Sequence, residues 1–577
     1  MASNSGGDRP GSRLWARIRD LAGAQAGGVV FVRLFLVLYS VTALRFLYYG
    51  FTYFRQLDDY IQYFNYQHFG GSRSELIRKL GLLAARPLAG LMDIYFWYRF
   101  YDNMIFAVLL LTALYAAAAA LLFLIFRRHF GAGYVFASVF CLLPLSFEGT
   151  YWISASSRVV CGLFFAVAGA WFFHRFAESA RWYHVFLFAL LQLVSFGFYE
   201  QAIFLSFALT LVVALTNVSA LKRRAFWGLH WFVNVGIYLA FTSRFVEDSR
   251  LYGQRYDIII PNTPYYFRVF LPEVLGQLKS AFLGGGLFIT LRGFFRGWAT
   301  MVRDGAWFYA ACVAGAAAFF WMTARREEEK PSPNRESLGA PVRQVIRRSI
   351  SGFFMGAFLA AAPVVPFFVL GNPWFSLRNT VMSFPGIALM VDSLATLVLG
   401  PIKRRGVDLK PVAAAALVAV FLVASVAELS DYRATTENDE RIVRSLSRAI
   451  KDVPADYQVV VLNVNPSYLP EQSYFYHEHI HGVTESDWAL TGALRAMSAS
   501  ETPYVTPIAT TRPVYRPYDK FDEYDACFLF DGKDGFVPLT VKHVGGGAFH
   551  FFDAEGELRA RITRDDAGRA ILTVEGG

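Results

Sequence analysis

Asp58 and Asp59 stand side by side in Phe51-Thr-Tyr-Phe-Arg-Gln-Leu-Asp-Asp-Tyr60. Just upstream lies an apolar stretch, Val29 to Tyr49, long enough to cross a bilayer. Adjacent carboxylates at a membrane boundary are costly unless they bind a cation, share a proton or take part in chemistry. Close together, they should raise one of their two pKa values towards the range of a working base. A solvated loop would accommodate any single Asp-Asp, so the weight of this pair depends on what else the chain brings to it.

Other reactive groups recur at ends of apolar runs. Glu148-Gly-Thr-Tyr-Trp-Ile-Ser-Ala-Ser-Ser-Arg158 puts an acid, aromatics, hydroxyls and a guanidinium into one short segment. An interfacial aromatic belt explains Tyr151 and Trp152, but not Arg158 at the opening of the apolar run Val159 to Phe173. Phe198-Tyr-Glu-Gln201 holds Glu200 between two apolar runs with almost no loop, as a buried acid would be. Asn372-Pro-Trp-Phe-Ser-Leu-Arg-Asn379 supplies Arg378 and Asn379, and Arg86 precedes Pro87. Carboxylates suit base or metal work, arginines a phosphate, and aromatic faces a sugar ring. The expectation is one outer cavity that receives Asp58, Asp59, Glu200 and at least one of Arg86, Arg158 and Arg378.

The elements that must position these groups are membrane helices. Of 577 residues, 55% are hydrophobic and only 17% charged, with 17% aromatic. Mean hydropathy is +0.35. A soluble chain carries about a quarter charged residues. The net charge of +10 does not indicate nucleic acid. Its basic residues cluster at ends of apolar runs (Arg127-Arg128, Lys222 to Arg224, Arg325-Arg326, Arg343 to Arg348, Lys403 to Arg405), where they report the cytoplasmic side. Arg9, Arg13, Arg17 and Arg19 place residues 1–28 inside as an N-terminal tail, with the first span an uncleaved anchor.

Alternation then predicts a polytopic α-helical membrane protein of about eleven spans over residues 29–428, interrupted by a charged, Pro-bearing cytoplasmic linker at 325–348. Leu275 to Thr290 is apolar but Gly-rich and flanked by Lys279, Arg292 and Arg296, so a re-entrant or surface helix is expected there. Two further surface helices are expected at Ile61 to Phe69 and Glu75 to Ala85, the second with Leu76, Ile77, Leu80 and Leu83 on one stripe. Cys141, Cys161, Cys312 and Cys527 fit neither a disulfide framework nor a zinc site.

Residues 429–577 read as an extracytoplasmic α/β domain. Ile442, Val443, Leu446 and Ile450 have helical spacing, Gln458 to Asn463 and Ala526 to Phe530 read as buried strands, and Phe549–Phe552, Leu558–Ile562 and Arg569–Val574 as a terminal meander. A helix over Gly482 to Leu494, capped by Thr484 or Ser486, should face the core with Trp488, Leu490 and Leu494. In Tyr474-Phe-Tyr-His-Glu-His-Ile-His481, a strand would put His477, His479 and His481 on one face as weak metal candidates, against a polar surface segment as the plainer reading.

A chain with this map, an Asp-Asp in the first outer loop, an Arg-Pro ending that loop, surface helices and an appended outer α/β domain resembles the C-type integral membrane glycosyltransferases, in their branch acting on bacterial cell-surface glycans. The resemblance covers residues 30 to 430 as architecture, and Leu57-Asp-Asp-Tyr60 and Arg86-Pro87 as motif. It implies transfer of a sugar from a polyprenyl-phosphate donor to a glycan or lipid-linked acceptor, in a cell membrane, with no nucleic-acid partner. Asp58 or Asp59 would be the base, and Arg86, Arg158 or Arg378 would clamp the phosphate. Glu148 or Glu200 would position the acceptor or join a metal, and a divalent cation is left open as cofactor. Two other classes compete. A flippase of lipid-linked glycan would want charges in mid-span, and a non-catalytic assembly protein would have no use for acids at span ends.

Overall fold

The computed structural model describes residues 28–60, 72–79, 81–217, 229–245, 263–329, 342–371, 374–400, 402–404, 407–465, 480, 482–498, 500–533 and 535–575. The expected helix at Ile61 to Phe69 and the three tail histidines, His477, His479 and His481, lie outside the described residues.

The chain is a helical membrane bundle with a C-terminal sheet domain. Among the described residues eight helices are long and apolar enough to cross a bilayer, and the bent pair Tyr134–Leu142 and Pro144–Tyr151 makes a ninth. The expected eleven differ from this count because apolar runs in the text need not be full-length helices. Trp182–Phe198 and Gln201–Thr216 are apolar but have only 17 and 16 residues, roughly 25 Å of helix against a hydrocarbon core of about 30 Å.

Contacts define two ends of the bundle. At one end Tyr49 bonds Ser430, Gln201 bonds the Pro363 carbonyl and Asn379 bonds Tyr199. At the other, Lys410 and the Gly133 amide both reach Asp392, and His129 meets His174. The sheet domain rises from the first end, which carries every described candidate side chain; we call it the domain end.

The expected surface segment Leu275 to Thr290 is the middle of a continuous 38-residue helix, Tyr266–Arg303. By length and composition it could cross. Its contacts instead hold it across the domain end: Tyr266 bonds the Phe368 carbonyl, Gln277 accepts from the Phe375 amide, and Arg296 pairs with Asp431. Gly297 makes this packing possible, because a Cβ there would lie 2.0 Å from the Val423 carbonyl oxygen. Leu283, Leu287, Leu291, Phe295 and Trp298 stay exposed, the apolar face of a helix lying in a membrane interface.

The last helix, Leu409–Ala449, has 41 residues and is about 60 Å long, twice the hydrocarbon thickness. Beyond Pro411 it contains no Pro or Gly to break it. Its first half packs in the bundle. Its second half buries Ile442, Val443 and Leu446 in the core of the sheet domain, with Val459, Val461, Leu490 and Leu494. Span and domain are thus joined by one rigid element.

That domain holds strands β1 (Gln458–Leu462), β2 (Tyr504–Ile508), β3 (Ala526–Phe530), β4 (Phe536–Gly545), β5 (Ala548–Phe552), β6 (Leu558–Arg564) and β7 (Ala570–Val574). Their order is β2-β1-β3-β4-β5-β6-β7. The first three are parallel, and the rest form an antiparallel meander. The sequence reading lacks β2 and β4, and each contains a proline, Pro507 and Pro538, that argues against a strand. β2 is the sheet edge, where a missing N–H is harmless. The helix Asp487–Ser498 covers this half of the sheet.

Candidate functional site

The first span ends through two consecutive left-handed residues, Gly50 (φ 61°) and Phe51 (φ 58°). A non-glycine residue held there costs on the order of 1–3 kcal/mol, so the surrounding contacts must fix this turn. The Phe51 and Gly50 amides bond back to Phe46 and Leu47 carbonyls, and the Phe54 amide donates to the Tyr151 hydroxyl over 2.7 Å. The chain is thereby delivered to Asp58 and Asp59 along the Tyr151 wall.

The two acids have different environments. Asp59 is fully buried. One of its oxygens, Oδ2, accepts from the Tyr53 hydroxyl over 2.6 Å and from the Gln56 amide over 2.9 Å. Tyr53 in turn accepts from the Ile153 amide, so Asp59 ties the loop to the segment after Trp152. The other oxygen, Oδ1, is sealed from solvent without a well-formed hydrogen bond, and the Ser154 backbone only weakly favours its charge. Burial pushes the Asp59 carboxyl up to about 7; the hydrogen bonds from Tyr53 and the Gln56 amide oppose this, and the Asp58 charge adds to it. Burial likewise raises the Tyr53 phenol well above its usual range, with the Asp59 charge adding to it, so Tyr53 is a donor at any physiological pH.

Asp58 is half-buried and faces the other way. Its Oδ1 accepts from the Trp488 indole N–H over 3.1 Å. Trp488, expected in the core, is instead 45% exposed, while its helix neighbours Leu490 and Leu494 are fully buried as expected. The residues flanking the acids, Leu57 and Tyr60, pack into the same core of the sheet domain. The sheet domain thus holds Leu57, Asp58 and Tyr60, while the bundle side holds Asp59.

The three arginines each meet a nearby acid. Arg86 Nε bonds both oxygens of Glu200, at 2.8 and 3.0 Å, with its guanidinium 4.6 Å above the Tyr199 ring. Arg378 lies 3.7 Å from Glu148 and stacks between Trp152 and Trp374, while its amide donates to Glu148 over 2.8 Å. Arg158 pairs with Asp93 at 3.0 Å, a buried acid that also accepts from Ser157. Burial raises the Asp93 carboxyl against the pull of Arg158. The Arg86 and Arg378 groups keep about a fifth to a quarter of their side-chain surface open, and Arg158 less. Asn379 binds Tyr199 and Gln201, which brings the Arg86 and Arg378 pairs into one patch.

Each of these three cations is paired with the acid closest to it. Among the described residues, a cleft between bundle and sheet domain is lined by Arg55, Tyr60 and Tyr101 and by Val443, Val483 and Met497. Among the described residues no three His, Cys, Asp or Glu side chains converge as a metal-ligand set.

Several residues here escape the sequence reading. Tyr53 and Gln56 act only through the turn that folds them back on Asp59. Asp93 sits in a stretch with no other acid before Asp102. Arg45 had a visible signal: it is a cation inside the first span. It is 1% exposed, its Nε and Nη2 have no hydrogen-bond partner among the described residues, and it lies between the rings of Phe46 and Phe147, at 4.8 and 5.2 Å. Cation–π contact of this kind is worth a few kcal/mol at most when desolvated, so Arg45 remains an expensive group to bury.

No family model matches this sequence, and no curated protein matches it. Among solved structures the chain is similar to ArnT from Cupriavidus metallidurans in its apo crystal structure. The match has 13% identity and a TM-score of 0.37, over 88% of this chain and 94% of that one. At that TM-score the likeness does not bear on the site.

Proposed function

We propose that this protein is a membrane glycosyltransferase that moves a sugar from a polyprenyl-phosphate carrier to a glycan or lipid-linked acceptor at the domain end, facing away from the cytoplasm. The observation that carries the reading is the division of labour in the acid pair. Asp59 is buried and locked, and Asp58 is its accessible neighbour. A base must first be within reach of the proton it takes, and only then have a suitable pKa. Asp58 meets the first condition, and Asp59 positions it and sets the local charge.

In the reaction, the acceptor hydroxyl gives its proton to Asp58 as its oxygen bonds the anomeric carbon. The bond from that carbon to the carrier phosphate breaks, and the electron pair leaves on the phosphate oxygen. Developing negative charge on the leaving phosphate needs preorganised cations. Arg86 and Arg378 are suited to it, being partly open, close together and flanked by the aromatic faces of Tyr199, Trp152 and Trp374. Arg158 is committed to buried Asp93 and serves structure. Glu148 and Glu200 hold the two clamping guanidiniums in place until a phosphate competes for them.

Charge supports this sidedness. Arg127 and Arg128 end a span opposite to the domain end, and basic ends stay cytoplasmic. The test is transfer from a polyprenyl-phosphate sugar by the purified, reconstituted chain and its Asp58→Asn variant. The variant should fold and bind donor but lose about 10²–10⁴-fold in rate. Undiminished transfer by the variant would remove Asp58 as base.

A further inference from the structure

At the end of the bundle opposite the sheet domain, two histidines from different spans face each other. His129 lies in the last turn of Ile105–Phe130, and His174 lies just over a turn before the end of Ile153–Ser179. His129 Nε2 is 3.4 Å from His174 Nδ1, and the two rings are nearly perpendicular, at 87°. That separation is long for a hydrogen bond from a ring N–H, which is about 2.7–3.2 Å. It matches the edge of a tetrahedral zinc site, where two imidazole nitrogens about 2.0–2.1 Å from the ion lie about 3.3–3.4 Å apart.

His174 is buttressed from behind. Glu178, four residues further along the same helix face, has its Oε1 3.5 Å from His174 Nε2. A carboxylate there favours the tautomer with its proton on Nε2, which leaves the Nδ1 lone pair aimed at His129. Metal-ligating histidines are held in this way, with a carboxylate on the ring nitrogen that does not touch the metal. His174 is 3% exposed and fixed by its surroundings, whereas His129 is half-buried and open to water on one side. Arg128 and Arg175 both pair with Glu178. Their side chains keep 57% and 41% of their surface in water, which screens their charge from an ion between the imidazoles. Sugar transfer at Asp58 makes no use of this cluster, which lies at the other end of the bundle.

We propose that His129 and His174 bind a divalent transition ion of the zinc type, with Glu178 behind His174 and water completing the coordination. Imidazole pairs select such ions over magnesium and calcium, which take oxygen ligands. The ion ties the two spans together at this end. The proposal is independent of the transferase reading.

Other histidines would also take up metal, so the full chain in detergent is tested with His477→Ala, His479→Ala and His481→Ala combined as the parent. Titrated calorimetrically with zinc chloride near neutral pH, the parent should take up one saturable equivalent that excess magnesium chloride leaves in place. His129→Ala, at a half-buried position, should abolish it, and His129→Cys, which offers a thiolate in its place, should retain it. Glu178→Gln should weaken it about 10–100-fold. With copper(II) as the probe, electron paramagnetic resonance should show nitrogen hyperfine coupling in the parent that His129→Ala loses. No saturable zinc uptake by the parent, an equivalent unchanged in His129→Ala, or displacement by magnesium would overturn the proposal.

Discussion

The Trp488 indole N–H donates to an Asp58 carboxylate oxygen over 3.1 Å, joining residues 430 positions apart. With Leu57 and Tyr60 packed in the same core, the sheet domain holds one side of the acid pair while Tyr53 and the Gln56 amide hold the other. The domain is thus part of the machinery that orients Asp58, and the continuous helix Leu409–Ala449 fixes its distance from the bundle.

Trp488→Phe keeps the ring and removes the donor. We expect kcat to fall about three- to tenfold, in line with one hydrogen bond to a charged group, with donor KM unchanged. Trp488→His, which can restore an N–H, should recover part of the loss. An unchanged kcat in the Phe variant would show that Asp58 is oriented without the domain.

Asp59 predicts a pH signature. Its folded-state pKa, about 7, lies above the usual carboxylate value. Between about pH 4 and pH 7 the native state therefore keeps a proton that the unfolded chain has released. Stability from this group is intact below pH 4 and declines as pH rises, the burial of the charge costing on the order of 4 kcal/mol above pH 7. Melting curves from pH 4.5 to 8 should show that decline in the wild type and not in Asp59→Asn. An identical pH dependence in both would mean that Asp59 is not the titrating group.

The three arginines separate by role. Arg86→Ala and Arg378→Ala should raise donor KM about tenfold or more each; melting temperature should change little for Arg86→Ala, whose partner Glu200 is partly open, and fall for Arg378→Ala, which leaves buried Glu148 without its cation. Arg158→Ala leaves buried Asp93 without its cation and should destabilise on the order of 3–5 kcal/mol. The loss should grow as pH rises, since burial already raises the Asp93 carboxyl. A stable Arg158→Ala with impaired donor binding would reverse the assignment.

The bundle and sheet domain were legible because their signals are strong and local. Apolar runs ended by basic clusters gave the span pattern, and Ala526-Cys-Phe-Leu-Phe530 is a strand to the residue. Asp58, Asp59, Glu148, Glu200 and the arginines could be picked out because charge is rare in this chain. Their pairing could not, because Arg86 and Glu200 are 114 positions apart and nothing in either local text selects the other. Trp488 was misplaced for the converse reason. Its helical stripe fits a core position, and only the seating of the helix beside the Asp58 loop turns it outwards. The helix Tyr266–Arg303 shows the limit of composition: hydropathy allows it to cross, and contacts with Phe368 and Asp431 at the same end hold it across the bundle.

Sidedness has its own test. Cysteines at Ser72 and Asp456, both exposed at the domain end, should react with an impermeant maleimide on intact cells, and a cysteine at Ala180, exposed at the opposite end, only after permeabilisation. Labelling of Ala180→Cys on intact cells would invert the map.

The central claim is that Asp58 takes the proton of the attacking hydroxyl during sugar transfer from a polyprenyl-phosphate donor. Single-turnover transfer in proteoliposomes, with donor bound and acceptor saturating, isolates that step for the wild type, Asp58→Asn and Asp59→Asn. The account predicts a rate about 10²–10⁴-fold lower for Asp58→Asn at unchanged donor affinity, and a smaller loss for Asp59→Asn. Wild-type rates in Asp58→Asn, or no transfer by the wild type from any polyprenyl-phosphate sugar, would contradict it.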